Sequence, residues 1–402
     1  MVRGYPIISA DSHLQIAAER WTNRVPAKYR HLAPRTVRQA DGTDATVVAD
    51  GKPQFFHGGL SGMPFENRTP RLGRFDTAPG VGSPEQRLRE QDLDGVDGEI
   101  IYTFPTGTSY YRGIKGKDLD AYKAVIHAWN EFLAEEYCPV APNRLVGMGL
   151  MPDTGVDDAI AEMEYCARAG LKGVCLTRYP STQEIPTPED DRFWTASLDL
   201  GMPIASHVCF VGSNSGRPPF PLQEDWKEVA ADVDPFSKFT QYSVRGAGNA
   251  LQMIFDGLFD RFPKLRMYFA ETMVGWLPHF LETLDDQYDR HIHWSARILG
   301  VRKLDRMPSE YVREHFLWGF MHNPVGVRMR HEIGIDQMMW GSDFPHAESN
   351  WPESQKSIDE VFAGVPEDEC ARMLGGNAID YFSLDREAFS QRTGPAMAAA
   401  GS

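Results

Sequence analysis

The chain has few cysteines, no long apolar run and no excess of positive charge, and each shortage removes a class of function. Its five cysteines (Cys138, Cys166, Cys175, Cys209 and Cys370) are scattered over 402 residues and never fall in C-x-x-C spacing. Neither a disulfide framework nor a thiolate zinc site is expected from such a set, and a reducing compartment suits it. No window approaches ~20 uninterrupted apolar residues, and the opening MVRGYPIISADSH carries no apolar core followed by a cleavage site. The expectation is a cytoplasmic protein that does not meet a membrane. Lys and Arg number 41 against 56 Asp and Glu, a formal charge of -15, which repels phosphate backbones, so nucleic acid is not expected as a partner. The first apolar run is also not followed by G-x-G-x-x-G, which counts against an open dinucleotide-binding sheet.

What is present is a repeat. Short apolar runs recur at 5–10, 98–104, 145–151, 173–177, 203–208, 265–271, 315–320 and 337–343. Between them, stretches such as 120–138, 157–170 and 248–263 place apolar residues three and four apart, the period of an amphipathic helix. Eight strand-helix repeats predict an α/β fold with a parallel sheet closed as a (β/α)8 barrel. The expected organisation is one barrel domain over 1–385, with insertions at about 14–83 and 209–247, and a C-terminal tail at 386–402 whose last stretch, TGPAMAAAGS, is expected to fray. Both insertions leave the C-terminal ends of strands, the face where barrel enzymes keep their chemistry.

Ligand-type side chains collect at those strand ends. Asp11 and His13 in ISADSHLQ follow the first run; residues two apart on an extended segment point the same way and can share an ion, whereas Ser12 points elsewhere. His207 ends the fifth run, Glu271 the sixth and Asp343 the eighth, with His346 three residues on in GSDFPH. Glu90, just before the second run, can add another carboxylate. Each of these alone reads more simply as a turn, a cap or a satisfied hydrogen-bonder. Their joint placement points to a divalent metal, and the mixture of imidazole and carboxylate suits zinc, manganese or iron(II). With three carboxylates and up to three histidines, the set can hold two ions.

The blocks ISADSH, QDLDGVDGEIIY (91–102), FPKLRMYFAETMVGWLPHFLETLD (262–285) and MMWGSDFPHAESNWP (338–352) resemble the amidohydrolase-related family of metal-dependent barrels. The resemblance implies a metal held by Asp11, His13, His207 and Asp343. It also exposes a departure: the hydrolase and decarboxylase branches carry a histidine after strand six, where this chain has Glu271. The acid-rich set is similar to that of the family's dinuclear non-haem iron monooxygenases, of the platensimycin-type diterpenoid hydroxylase kind.

The leading expectation is therefore a monooxygenase with two Fe, or Mn/Fe, that uses O2 to hydroxylate an apolar C–H position of a small molecule. Its substrate wall would draw on Trp21, Phe55, Phe56, Phe104, Tyr110, Tyr111, Phe210 and Trp351. The alternatives are metal-assisted (Zn) hydrolysis of an amide, ester or lactone with Asp343 or Glu271 as general base, then non-oxidative decarboxylation, then a silent partner subunit. Arg178 and Tyr179, after the fourth run, can meet an anionic or carbonyl group of the substrate. His291 and His293 read as surface residues, and the acids of 91–97, 282–289 and 366–370 as solvated helix faces. A homo-oligomer is expected from the general habit of large barrels.

Overall fold

All eight apolar runs form parallel strands, and the wall they build is buried on both faces. The structure is a computed structural model describing residues 4–55, 61–68, 74–76, 78–103, 111–210 and 244–390. In chain order the strands are β1 (Ile8–Leu14), β2 (Arg35–Arg38), β3 (Asp44–Val47), β4 (Gln54–Phe55), β5 (Gly98–Thr103), β6 (Leu145–Gly147), β7 (Gly149–Leu150), β8 (Val174–Leu176), β9 (Ile204–His207), β10 (Met267–Ala270), β11 (Phe316–Phe320) and β12 (Met338–Trp340). One sheet runs β1-β5-β6 and another β7-β8-β9-β10-β11-β12.

The two sheets meet at both edges. Met148 separates β6 from β7, its N–H donating back to Ile101 O (3.0 Å) while Gly149 N–H donates forward to Gly173 O (2.9 Å). At the other edge Ser12 pairs with Phe344 in a parallel bridge, His13 N–H donates to Phe344 O (2.7 Å) and Asp343 N–H to Asp11 O (2.9 Å). These contacts bring the two parallel sheets together at both edges, in the eight-strand order of a barrel.

Side chains alternate across the wall as the strand period requires. Ile8, Ala10, Ile100, Tyr102, Val146, Met148, Cys175, Ala205, Tyr268, Leu317 and Met339 form the inner cluster, and Ala378, Ile379, Phe382 and Phe389 pack with them. Tyr381 donates to Ile204 O (2.6 Å) at the start of β9, so the C-terminal segment closes the N-terminal end of the barrel. The tail that begins at 386 opens with a helix, Arg386–Ser390. Its Phe389 is 1% exposed, an apolar anchor too short to show periodicity. Residues 391–402 lie outside the described residues.

The insertion at 14–83 holds structure that the sequence did not reveal: an antiparallel sheet of β2, β3 and β4, whose hairpin is tied by the Arg38–Asp44 ion pair (2.6 Å). Of the expected substrate wall, Phe56, Phe104 and Tyr110 lie outside the described residues, as do 211–243 of the second insertion. Trp21, Tyr111 and Phe210 are buried in the outer core. Among the described residues, no helix is long and apolar enough to cross a membrane.

The helix Pro84–Asp94 shows why a polar sequence folds here. Ser83 caps its first turn by accepting from Gln86 N–H (3.4 Å), Pro84 occupies the first helical position, and Gly95 ends it at φ 71°, the usual start and stop chemistry. Asp94 on this helix corrects the expectation of a solvated acidic face. It is buried, accepts from Ser354 N–H (2.9 Å), and burial pushes its carboxyl up to about 6. The folded chain therefore holds a proton that the unfolded chain releases near pH 4. Stability from this group is complete below about pH 4 and is lost as pH rises through about 6. Asp94→Asn keeps the acceptor and removes the charge, so the variant should melt higher than the parent at pH 7, by about 1–3 kcal/mol. The two melting curves should converge at pH 4; an equal gain at both pH values would contradict this assignment.

Candidate metal centre

The first strand does not stop before its acid and histidine. β1 carries both Asp11 and His13, and its pairing with β5 slips between Ser9 and Ser12, where one extra residue is accommodated. A bulge of this kind re-aims side chains: Asp11 and His13 enter the barrel mouth with Asp11 Oδ1 and His13 Nε2 3.5 Å apart. Ser12 turns away, into a hydroxyl cluster with Ser9 (3.0 Å) and Ser342 (3.3 Å).

Six of the seven expected residues come together. They form three overlapping triads: Asp11, His13 and His207; His13, Asp343 and His346; and Asp11, Glu271 and Asp343. His13 Nε2 lies 3.1 Å from Asp343 Oδ1 and 3.1 Å from His207 Nε2. His207 Nε2 stands 3.5 Å from Asp11 Oδ1 and 3.4 Å from Glu271 Oε2, and His346 Nδ1 is 3.0 Å from Asp343 Oδ1. The His13 and His346 rings stack with centroids 3.9 Å apart. Glu271 and Asp343 both sit at positive φ, 56° and 53°. Such strain in non-glycine residues persists where the surroundings hold it and is common at functional sites.

Glu90 is the seventh, and it is elsewhere. Its two carboxylate oxygens each accept from Gly80 N–H (3.1 Å), and Gln86 also donates to it (2.8 Å). It fastens the end of the 14–83 insertion and belongs to none of the three triads. His291 and His293 are exposed on the helix Leu277–Leu299, in keeping with the surface reading.

The donors fit a divalent cation. All four carboxylate oxygens of Asp11 and Asp343 are buried and accept no hydrogen bond. Buried carboxylates left in this state are costly, and a cation between them removes the cost. Burial lowers the His13 pKa well below its usual value, helped by the neighbouring His346 and His207, and lowers His346 to about 4. Both imidazoles are thereby kept neutral, the form that ligates metal. His207 is also desolvated, but the adjacent Asp11 carboxylate outweighs that and raises it. Burial raises Glu271 and Asp343 well above the usual carboxylate range, with Asp343 the largest charge acting on Glu271 and Asp11 the largest on Asp343.

Two supporting residues were missed from sequence. Arg87 is 1% exposed. Its Nε donates to Glu99 (2.6 Å), its Nη1 to His13 O (3.1 Å) and its Nη2 to Phe344 O (3.2 Å). One guanidinium thus spans the β1–β12 seam and holds the backbone of two ligand-bearing segments. The readable signal was the spacing of Arg87, Glu90, Gln91 and Asp94, a polar stripe at helical period on the face that should meet the barrel. Gly341 is the other: a Cβ there would stand 2.6 Å from Asp11 Cβ, so only glycine lets β12 approach the first ligand strand this closely.

Comparison with known proteins follows the same lines. The profile described as Amidohydrolase matches residues 114–384. The chain is 22% identical over 385 residues to 2-amino-3-carboxymuconate-6-semialdehyde decarboxylase of Dictyostelium discoideum, covering 94% of this chain and 92% of that one. It is 23% identical over 272 residues to gamma-resorcylate decarboxylase of Polaromonas sp., covering 64% and 76%. Among solved structures, 5-carboxyvanillate decarboxylase of Novosphingobium aromaticivorans, complexed with manganese and 4-hydroxy-3-methoxy-5-nitrobenzoic acid, superposes with a TM-score of 0.66 at 18% identity, covering 95% and 97%. These relatives favour the decarboxylase that was ranked behind oxygenase and hydrolase on sequence. Nothing in them supports two irons or the use of O2.

Proposed function

This chain belongs to the amidohydrolase family, and from that premise we propose that it is a metal-dependent decarboxylase of a small carboxylic acid. The observation that carries the reading is the set of six imidazole and carboxylate groups at the barrel mouth, with the oxygens of Asp11 and Asp343 turned inward and unsatisfied. Asp11, His13, His207 and Asp343 would hold the ion. A divalent ion bound there supplies positive charge to the substrate carboxylate and its neighbouring oxygen. Manganese in a decarboxylase of the same fold supports that choice of metal.

Decarboxylation breaks the bond between the carboxylate carbon and its neighbour, leaves the electron pair on that neighbour and needs one proton there. We assign the proton to Glu271. It stands where the related decarboxylase branch has histidine, and its side chain is 15% exposed against 2% for Asp11 and 0% for Asp343. Of the three carboxylates it is the one open to substrate and to a proton from water. Glu271→Gln keeps the shape and removes the acid, so kcat should fall by about 10²–10⁴-fold while metal content stays at the parental value. A parallel loss of metal would make Glu271 a ligand instead. The whole reading is tested by release of CO2 from carboxylic acids without consumption of O2.

Hydrolysis is the second reading, since Glu271, partly exposed beside His207, can equally take a proton from a water that a bound ion would activate. Turnover of esters or lactones with no CO2 from any acid would select it.

A further inference from the structure

Five of the six groups at the barrel mouth are placed by strands. Asp11 and His13 lie on β1, His207 ends β9 and Glu271 follows β10 directly, while Asp343, just past β12, is tied to β1 by its N–H to Asp11 O (2.9 Å). His346 is the exception, for it stands six residues beyond the end of β12 at Trp340. The backbone bonds around it, His346 N–H to Asp343 O (2.8 Å) and Ser349 N–H to His346 O (3.2 Å), close turns inside the loop rather than reach the wall. Yet its ring stacks on His13 at 3.9 Å between centroids and its Nδ1 stands 3.0 Å from Asp343 Oδ1, so something must hold the loop.

The hold comes from the first insertion. Ser61 is buried and donates from Oγ to His346 O (2.8 Å). Arg68 donates from Nη1 to Ala347 O and to Ser349 O (3.0 Å), and from Nε to Met63 O (2.9 Å) in its own segment. All three acceptors are main-chain oxygens, so the charged donor strengthens a hold on backbone. The guanidinium lies over the Phe65 ring, 4.0 Å from its centroid, which sets its direction. Gly62, between Ser61 and Met63, lets the two segments meet: a Cβ there would stand 2.7 Å from the Trp351 ring, at the far end of the His346 loop. The insertion thus grips residues 346, 347 and 349 of that loop, two by the arginine and one by the serine.

We propose that Arg68, together with Ser61, is a positioning residue of the metal centre: it holds His346 from outside the barrel, so that the imidazole keeps the His13 ring in place and faces Asp343. Loss of a group that orients a metal ligand typically costs 10–100-fold in metal affinity, and here the orientation is transmitted through one loop. The inference rests on the metal centre of the proposed function and is independent of which reaction that centre performs.

The test is calorimetric titration of the full-length chain with manganese, arranged as double-mutant cycles. Arg68→Met should weaken manganese binding by about 10-fold and His346→Ala by about 10–100-fold. Arg68→Met/His346→Ala should bind as His346→Ala does, because the arginine then has no imidazole to place. Ser61→Ala removes a single hydroxyl with little packing; it should weaken binding by about 3-fold and likewise lose its effect in the His346→Ala background. Losses that add in both double variants overturn the proposal, since Arg68 and Ser61 would then act on the fold at large and not through His346. Parental affinity in Arg68→Met or in His346→Ala overturns it while leaving the proposed function intact. A parent chain that binds no manganese overturns the metal centre, and the proposed function with it.

Discussion

Replacing His13 with alanine is expected to strip the bound divalent ion and lower turnover by about 10³-fold or more. His13 is fully buried and belongs to two of the three triads, with Nε2 within 3.1 Å of both Asp343 Oδ1 and His207 Nε2. Asp11→Ala should behave alike, because Asp11 also belongs to two of the three triads. Elemental analysis of the purified variants reads the result directly as moles of metal per chain. Full occupancy in both would remove the first-strand pair from the site.

Arg87→Met should have the second largest effect, and on two quantities at once. Removing one partner of a buried ion pair leaves the other uncompensated, which costs about 3–5 kcal/mol; here Glu99 would lose its guanidinium. The carbonyls of His13 and Phe344 would lose their donor as well, and these belong to the segments bearing His13 and Asp343. Melting temperature and manganese affinity should therefore fall together. The double variant Arg87→Met/Glu99→Gln should regain part of the stability, since the buried charge is gone, but not the metal affinity. Unchanged affinity in Arg87→Met would reduce the residue to a core ion pair with no part in positioning the site.

The barrel was legible because its strands are buried on both faces and so read as continuous apolar runs, each of which forms a strand. The clustering at the barrel mouth was legible for a related reason: Asp11, His13, His207, Glu271, Asp343 and His346 all stood at or just past the ends of runs, and the fold brings them together. Glu90 stood before a run rather than at its end, on the helix Pro84–Asp94, and a residue in the helix before a strand faces the wall rather than the mouth. Arg87 was hidden for the converse reason. Its contacts are to backbone oxygens 74 and 257 residues away, and residue types do not record those. The small antiparallel sheet of the first insertion depends on strands as short as Gln54–Phe55, below the length at which a period can be seen.

The chemistry was the least legible part. Three triads that share corners offer the same residues to one ion or two, so counting carboxylates led toward a two-iron oxygenase. The relatives point instead to loss of CO2. The distinction lies in the substrate and in the single proton it needs, neither of which is written in the ligand set.

The measurement that tests this most directly is a gas balance on the manganese-loaded protein, with metal per chain determined on the same sample. Aromatic and conjugated mono- and dicarboxylic acids would be supplied as substrates, with and without O2. The account predicts stoichiometric CO2 from at least one of these acids, at the same rate under nitrogen as in air and with no uptake of O2. Turnover that requires O2, with about two irons bound per chain, would contradict it.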